Sequence, residues 1–119
     1  MGDREAMKTK ALYAGSFDPI TRGHLDIVAK ALTIFDEVHV GVGVNPKKTG
    51  LFHHTFRLTL MSGAFNEFFS DPLTTARLSN GSYPGSLVTY AREIGATHIV
   101  RGLRQVSDFN DEFSLHGVC

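Results

Sequence analysis

From Val38 to Val44 valine occupies every even position, with His39, Gly41 and Gly43 between. A period of two marks a strand. One face carries β-branched side chains and the other is nearly bare, so that a neighbouring group can pack against its backbone. Upstream the period lengthens. Leu25, Val28, Ala29 and Leu32 form one stripe at helical spacing and Ile27, Ala31 and Ile34 a second. Together they predict a helix over about Gly23 to Phe35, buried around more than half its circumference. Lys10 to Tyr13 reads as a first strand, stopped by Gly15 and the turn dipeptide Asp18-Pro19. Leu60, Met61, Ala64, Phe65 and Phe68 mark a second helix between about Thr55 and Phe69, with Phe65, Phe68 and Phe69 assigned to the core. Asp71-Pro72 breaks the chain, Leu73 to Leu78 reads as a weak third strand, and Ser79 to Gly85 reads as loop on composition. Leu87, Val88, Ala91 and Ile94 then share a helical face closed by Gly95 as C-cap, and Tyr90 is assigned to the core. His98 to Val100 is a last short strand, and a further helix is predicted to start near Asp108.

Strands alternating with helices imply βαβ units, and the fold class expected is α/β. The architecture is a Rossmann-like doubly wound parallel sheet with helices on both faces, in a single domain. Ligands of such sheets bind beyond the carboxyl ends of the strands. Three polar clusters follow strands here: Ser16 with His24, Lys47 with Lys48, and Arg101 with Arg104. All should therefore meet at one edge. Thr21 is placed to cap the first helix, with His24 three residues on. A helix N-terminus stabilises an anion, above all a phosphate, and Gly15 and Gly23 allow its close approach while Ser16 and His24 add donors. The same turn also suits a plain cap with no ligand, and the lysine pair also suits a solvated loop. An arginine at a strand end beside a glycine presents a rigid fork matched to phosphate.

Composition narrows the partners. The chain has 119 residues, 42% hydrophobic and 20% charged, enough for one core. Twelve basic and twelve acidic residues cancel, which argues against a broad electrostatic footprint for nucleic acid or an anionic membrane. The single cysteine, Cys119, leaves no intrachain disulfide and points to a reducing compartment. No apolar run approaches the roughly twenty residues that span a bilayer. His39, His53, His54, His98 and His116 lack ligand-like spacing, and no metal site is assigned to side chains. Residues 1–9 read as a tag remnant or loose tail ahead of a domain over residues 10–119.

Gly15-Ser-Phe-Asp-Pro-Ile-Thr-Arg-Gly-His24 resembles the signature turn of the nucleotidylyltransferase superfamily, and Thr21-Arg-Gly-His24 matches the Thr form of its Thr/His-X-Gly-His mark. Within that superfamily, four segments are similar in order and spacing to the bacterial phosphopantetheine adenylyltransferases. They are Tyr13 to Val28, Ile34-Phe-Asp-Glu-Val38, Asn45-Pro-Lys-Lys48 with Leu51-Phe52, and Val100-Arg-Gly-Leu-Arg-Gln-Val-Ser-Asp-Phe109. The resemblance implies a cytoplasmic, homohexameric enzyme of coenzyme A biosynthesis. Such an enzyme moves adenylyl from ATP to 4′-phosphopantetheine, giving dephospho-coenzyme A and pyrophosphate. Carried over by matched position, His24 would stabilise the transition state, with Lys48 and Arg101 as further catalytic residues. Ser16, Lys48, Leu87 and Arg101 would hold phosphopantetheine. Ser16, Phe17, His24, Gly102, Leu103, Arg104 and Glu112 would line the ATP side. Family members use Mg²⁺, which the resemblance places mainly on ATP phosphates, and coenzyme A is implied as a feedback ligand.

The chain departs from the family pattern in places. Asn110-Asp-Glu-Phe113 keeps the glutamate but loses an aromatic, His53-His-Thr-Phe56 replaces acidic residues ahead of Arg57, and Ser86 stands where leucine is common. The sequence ends before an Ile-Ser-Ser-Ser/Thr segment that in the family completes the nucleotide pocket, so the domain is expected to be C-terminally truncated. Two alternatives therefore accompany the main reading. One is a non-catalytic module that binds phosphopantetheine or coenzyme A. The other is a related cytidylyltransferase or nicotinamide-nucleotide adenylyltransferase.

Overall fold

The computed structural model describes residues 8–44 and 53–101. In chain order these form β1 (Lys10–Gly15), α1 (Arg22–Ile34), β2 (Glu37–Val44), α2 (His54–Phe68), α3 (Pro72–Thr75), β3 (Leu78–Pro84), α4 (Leu87–Glu93) and β4 (His98–Val100). The strands make one sheet in the order β3-β2-β1-β4, with every pairing parallel. The expected α/β parallel sheet is therefore present. Because β1 sits between β2 and β4, crossovers run both ways from it, which makes the sheet doubly wound.

The valine alternation decides the layers. Val38, Val40 and Val42 are fully buried and join Ala11, Tyr13 and Val100 on one sheet face, under Val28 and Leu32 of α1 and Met61 and Phe65 of α2. Burial of side chains of this size contributes about 1.5–3 kcal/mol each, so this layer is the main hydrophobic core. The opposite face is the bare one, and it is occupied as its glycines require. A Cβ on Gly41 would lie 3.2 Å from both Tyr83 and Tyr90, and one on Gly43 would lie 3.3 Å from the Tyr83 hydroxyl. The two tyrosine rings stack with centroids 4.6 Å apart and planes within 13°. Tyr90, on α4, thus brings a helix to the second face.

Buried among them is His39, the polar member of β2. Its Nδ1 bonds Ser79 Oγ at 2.7 Å and its Nε2 bonds Tyr90 Oη at 2.6 Å. The corner between α1 and β2 is held by Arg77, whose Nη2 donates to the carbonyls of Leu32 and Phe35 and whose Nε donates to that of Asp36. The Leu32 carbonyl is one that the helix end leaves without an intrahelical partner.

Three expectations need correction. Leu73 to Leu78 is not a strand: Asp71 caps a short helix with Pro72 in its first turn, and Leu73 is exposed. The third strand instead occupies Leu78–Pro84, inside the stretch read as loop. Its Ser, Asn, Gly and Pro content is tolerated because β3 is the edge strand among the described residues, paired there with β2, with Pro84 at its last position. The second apolar stripe of α1 is incomplete, since Ile34 at the helix end is 44% exposed. Beyond these, β1 runs two residues past Tyr13, Gly95 has the positive φ of a C-cap, and the helix predicted from Asp108 lies outside the described residues.

Burial, with the nearby Lys10 charge adding to it, lowers the His39 pKa from 6.5 to about 4. Between those values the unfolded chain takes up a proton that the folded one refuses, so stability falls as pH drops through this window and levels off below it. The loss is on the order of 3 kcal/mol. Chemical denaturation at pH 7 and at pH 4.5 should show a smaller acid loss for His39→Gln, which keeps a donor and an acceptor but does not titrate. Equal losses in both proteins would refute the assignment.

Candidate functional site

In an all-parallel sheet the strand carboxyl ends share one edge, here marked by Gly15, Val44, Pro84 and Val100. Ser16 and Phe17 leave that edge from β1, Arg101 leaves it from β4, and Leu87 opens α4 just after β3. His24 stands in the first turn of α1. Of the sequence-predicted site residues, Ser16, Phe17, His24, Leu87 and Arg101 are thus at one edge, and Phe17 and His24 are in direct ring contact. Lys48, Gly102, Leu103, Arg104 and Glu112 lie outside the described residues.

The cap of α1 orients His24. The Thr21 backbone N–H donates to His24 Nδ1 at 2.9 Å, while the His24 backbone N–H donates to Thr21 Oγ1 at 3.4 Å. A backbone N–H can only donate, so Nδ1 is the bare nitrogen of the neutral ring and the proton resides on Nε2. Partial burial favours this neutral form by holding the His24 pKa below 6.5. The ring consequently offers one N–H beside the free amides at the start of α1, where the helix dipole also favours negative charge. The plain-cap reading and the anion reading coincide here: one nitrogen caps and the other is left to donate.

Phe17 completes this wall. Its ring is buried, meets His24 edge-on at 4.8 Å and meets Tyr13 edge-on at 5.1 Å. Its backbone has φ +43°, an uncommon conformation for a bulky residue. Gly15 makes room, because a Cβ there would lie 3.1 Å from the Phe17 ring.

Next to β1, Arg101 follows a strand whose Val100 pairs with Tyr13. Burial raises the Tyr83 pKa, and the positive charge of Arg101 partly offsets that rise. Leu87 begins the helix whose Tyr90 covers the same face. The edge therefore gathers the cap of α1, the residue that follows β4 and the start of α4.

Two residues escaped sequence reasoning. Tyr83 was hidden in a stretch read as loop. Arg57 was seen only as a residue that keeps its family place after the replaced His53 to Phe56, yet its Nη1 donates to the Ser16 carbonyl at 2.7 Å across 41 residues of sequence. A signal existed: a cation in the first turn of a helix faces the positive end of the dipole, so the residue had reason to be serving something outside its helix.

The cytidylyltransferase-like family model matches residues 12–116, nearly the whole chain. The chain belongs to the cytidylyltransferase-like family. Among curated relatives it is 44% identical over 109 residues to a phosphopantetheine adenylyltransferase of Beijerinckia indica, covering 92% of this chain and 64% of that protein. It is 46% identical over 107 residues to one of Heliobacterium modesticaldum, covering 90% and 60%. The chain thus spans less than two thirds of the length of these relatives. Among solved structures, the bifunctional NMN adenylyltransferase/ADP ribose pyrophosphatase of Francisella tularensis, complexed with AMP and a manganese ion, superposes with a TM-score of 0.60. That match has 14% identity and covers 80% of this chain and 32% of that one, a likeness of fold.

The hydrogen-bond geometry makes a direct prediction. In ¹⁵N-resolved NMR, the His24 ring should show the Nε2–H tautomer at neutral pH and should protonate only below the ordinary histidine range. An Nδ1–H signal would show that Thr21 does not cap through the ring.

Proposed function

We propose that this protein transfers an adenylyl group from ATP to 4′-phosphopantetheine, producing dephospho-coenzyme A and pyrophosphate. The observation that carries the proposal is the His24 Nε2–H, held in place by the Thr21 cap at the strand edge where Ser16, Leu87 and Arg101 also stand. The names of relatives 44–46% identical to the chain support the choice of substrates.

The phosphate monoester of phosphopantetheine is already anionic, so its oxygen attacks the α-phosphorus of ATP without a general base. A new P–O bond forms as the bond to the β-phosphate breaks, and pyrophosphate departs with the electron pair. The protein's tasks are alignment and relief of the charge that builds on the five-coordinate α-phosphate. In this mechanism His24 donates its Nε2 proton in a hydrogen bond to an α-phosphate oxygen. Lys48, Leu87 and Arg101 hold the phosphopantetheine, with Ser16 between the two reactants. Phe17, Gly102, Leu103, Arg104 and Glu112 line the ATP side.

Among the described residues no three His, Cys, Asp or Glu side chains cluster as metal ligands. Mg²⁺ carried mainly on the phosphates of ATP would supply charge neutralisation. We further propose a cytoplasmic homohexamer for which coenzyme A is a feedback ligand.

Pyrophosphate release should require both ATP and 4′-phosphopantetheine, with CTP or nicotinamide mononucleotide as poor replacements for the respective substrate. His24→Ala should lower kcat about 10²–10³-fold, the range found when one transition-state donor is removed, with KM for phosphopantetheine nearly unchanged. Tight phosphopantetheine binding without pyrophosphate release would instead identify a binding module. Undiminished turnover in His24→Ala would remove that residue from the chemistry.

A further inference from the structure

Arg57 combines three features that do not serve the stability of its own helix. It is a cation in the first turn of α2, where the dipole opposes it. Its Nε is buried without a hydrogen-bond partner among the described residues, and an unsatisfied buried donor costs about 1–3 kcal/mol. Its Nη1 reaches out of the helix altogether and donates to the Ser16 carbonyl at 2.7 Å.

That carbonyl is the hinge of the site. Ser16 is exposed, but the next residue, Phe17, is buried with φ +43°, a conformation that persists only where surrounding contacts enforce it. Phe17 in turn sets its ring edge-on against His24 at 4.8 Å. An unbroken chain of contacts thus runs from the Arg57 guanidinium through the Ser16–Phe17 peptide to the His24 imidazole. Each link is short, and only the first is a charged hydrogen bond, the kind strong enough to oppose backbone strain.

We propose that Arg57 is a positioning residue: by clamping the Ser16 carbonyl it holds Phe17 against His24 and so aims the His24 Nε2–H at the nucleotide phosphate. The role in turnover rests on the adenylyl-transfer reading above, whereas the clamp itself does not. If it holds, removing the fork frees Phe17, admits water around the imidazole and spoils its aim. The defect should therefore fall on kcat more than on phosphopantetheine binding.

The test compares Arg57→Gln and Arg57→Lys with the unaltered full-length protein by three readouts: thermal melting, His24 titration by NMR, and pyrophosphate release from ATP and 4′-phosphopantetheine. In Arg57→Gln the His24 pKa should rise toward the ordinary histidine value and kcat should fall at least tenfold, with KM for phosphopantetheine within about twofold. Arg57→Lys, which returns a charged donor, should recover part of both. An Arg57→Gln protein that unfolds, or whose His24 titrates as before, overturns the proposal, as does an Arg57→Lys protein that recovers neither readout. Should the unaltered protein release no pyrophosphate, the adenylyl-transfer reading fails, while the His24 titration still decides the clamp.

Discussion

Parallel pairing of β1 with both of its neighbours is the constraint on which the site depends. It forces the chain to turn over the same edge after each strand, so residues far apart in sequence come to surround one space. Tyr13 aligns with Val40 on one side and with Val100 on the other, which sets the turn after Gly15 beside Arg101. Antiparallel pairing at either neighbour would have sent one of these groups to the opposite end of the molecule. The hydrophobic effect enforces the arrangement, because a strand slipped by one residue would expose Val38, Val40 and Val42 and bury the bare face in their place.

Within that frame, polar contacts do the aiming. Thr21 and His24 satisfy each other's needs at the start of α1, and the same bonds decide which imidazole nitrogen carries the proton. Phe17 packs edge-on against the ring, and partial burial favours the neutral imidazole. Around the corner, the stack of Tyr83 on Tyr90 lies flush against glycine backbone, with His39 buried beneath as a neutral hinge between β3 and α4. The two sides of the edge differ in kind. One is built from a helix end and its cap, the other from a stacked aromatic layer.

Much of this was legible in order along the chain. The valine alternation, the stripe of α1, the Thr21 cap and the Gly95 turn are local patterns governed by side-chain period and backbone freedom, so reading them required no knowledge of neighbours. The glycines of β2 even announced that something would press on them. What pressed was not legible, since Tyr83 belongs to a segment whose Ser, Asn, Gly and Pro content argues for loop when taken alone. Its pairing with β2 overrode that preference.

The sequence alone therefore determined the α/β class, the parallel sheet, the strand-to-helix turn at Gly15 to His24 and the residue types gathered at strand ends. These follow from periodicity and capping, which act over a few residues. Only the tertiary structure decided that β3 is a strand, that Arg57 reaches back to the Ser16 carbonyl, and that His39 bridges Ser79 and Tyr90. Each of these depends on a contact spanning 40 or more residues of sequence, and no local pattern encodes which distant backbone a side chain will meet.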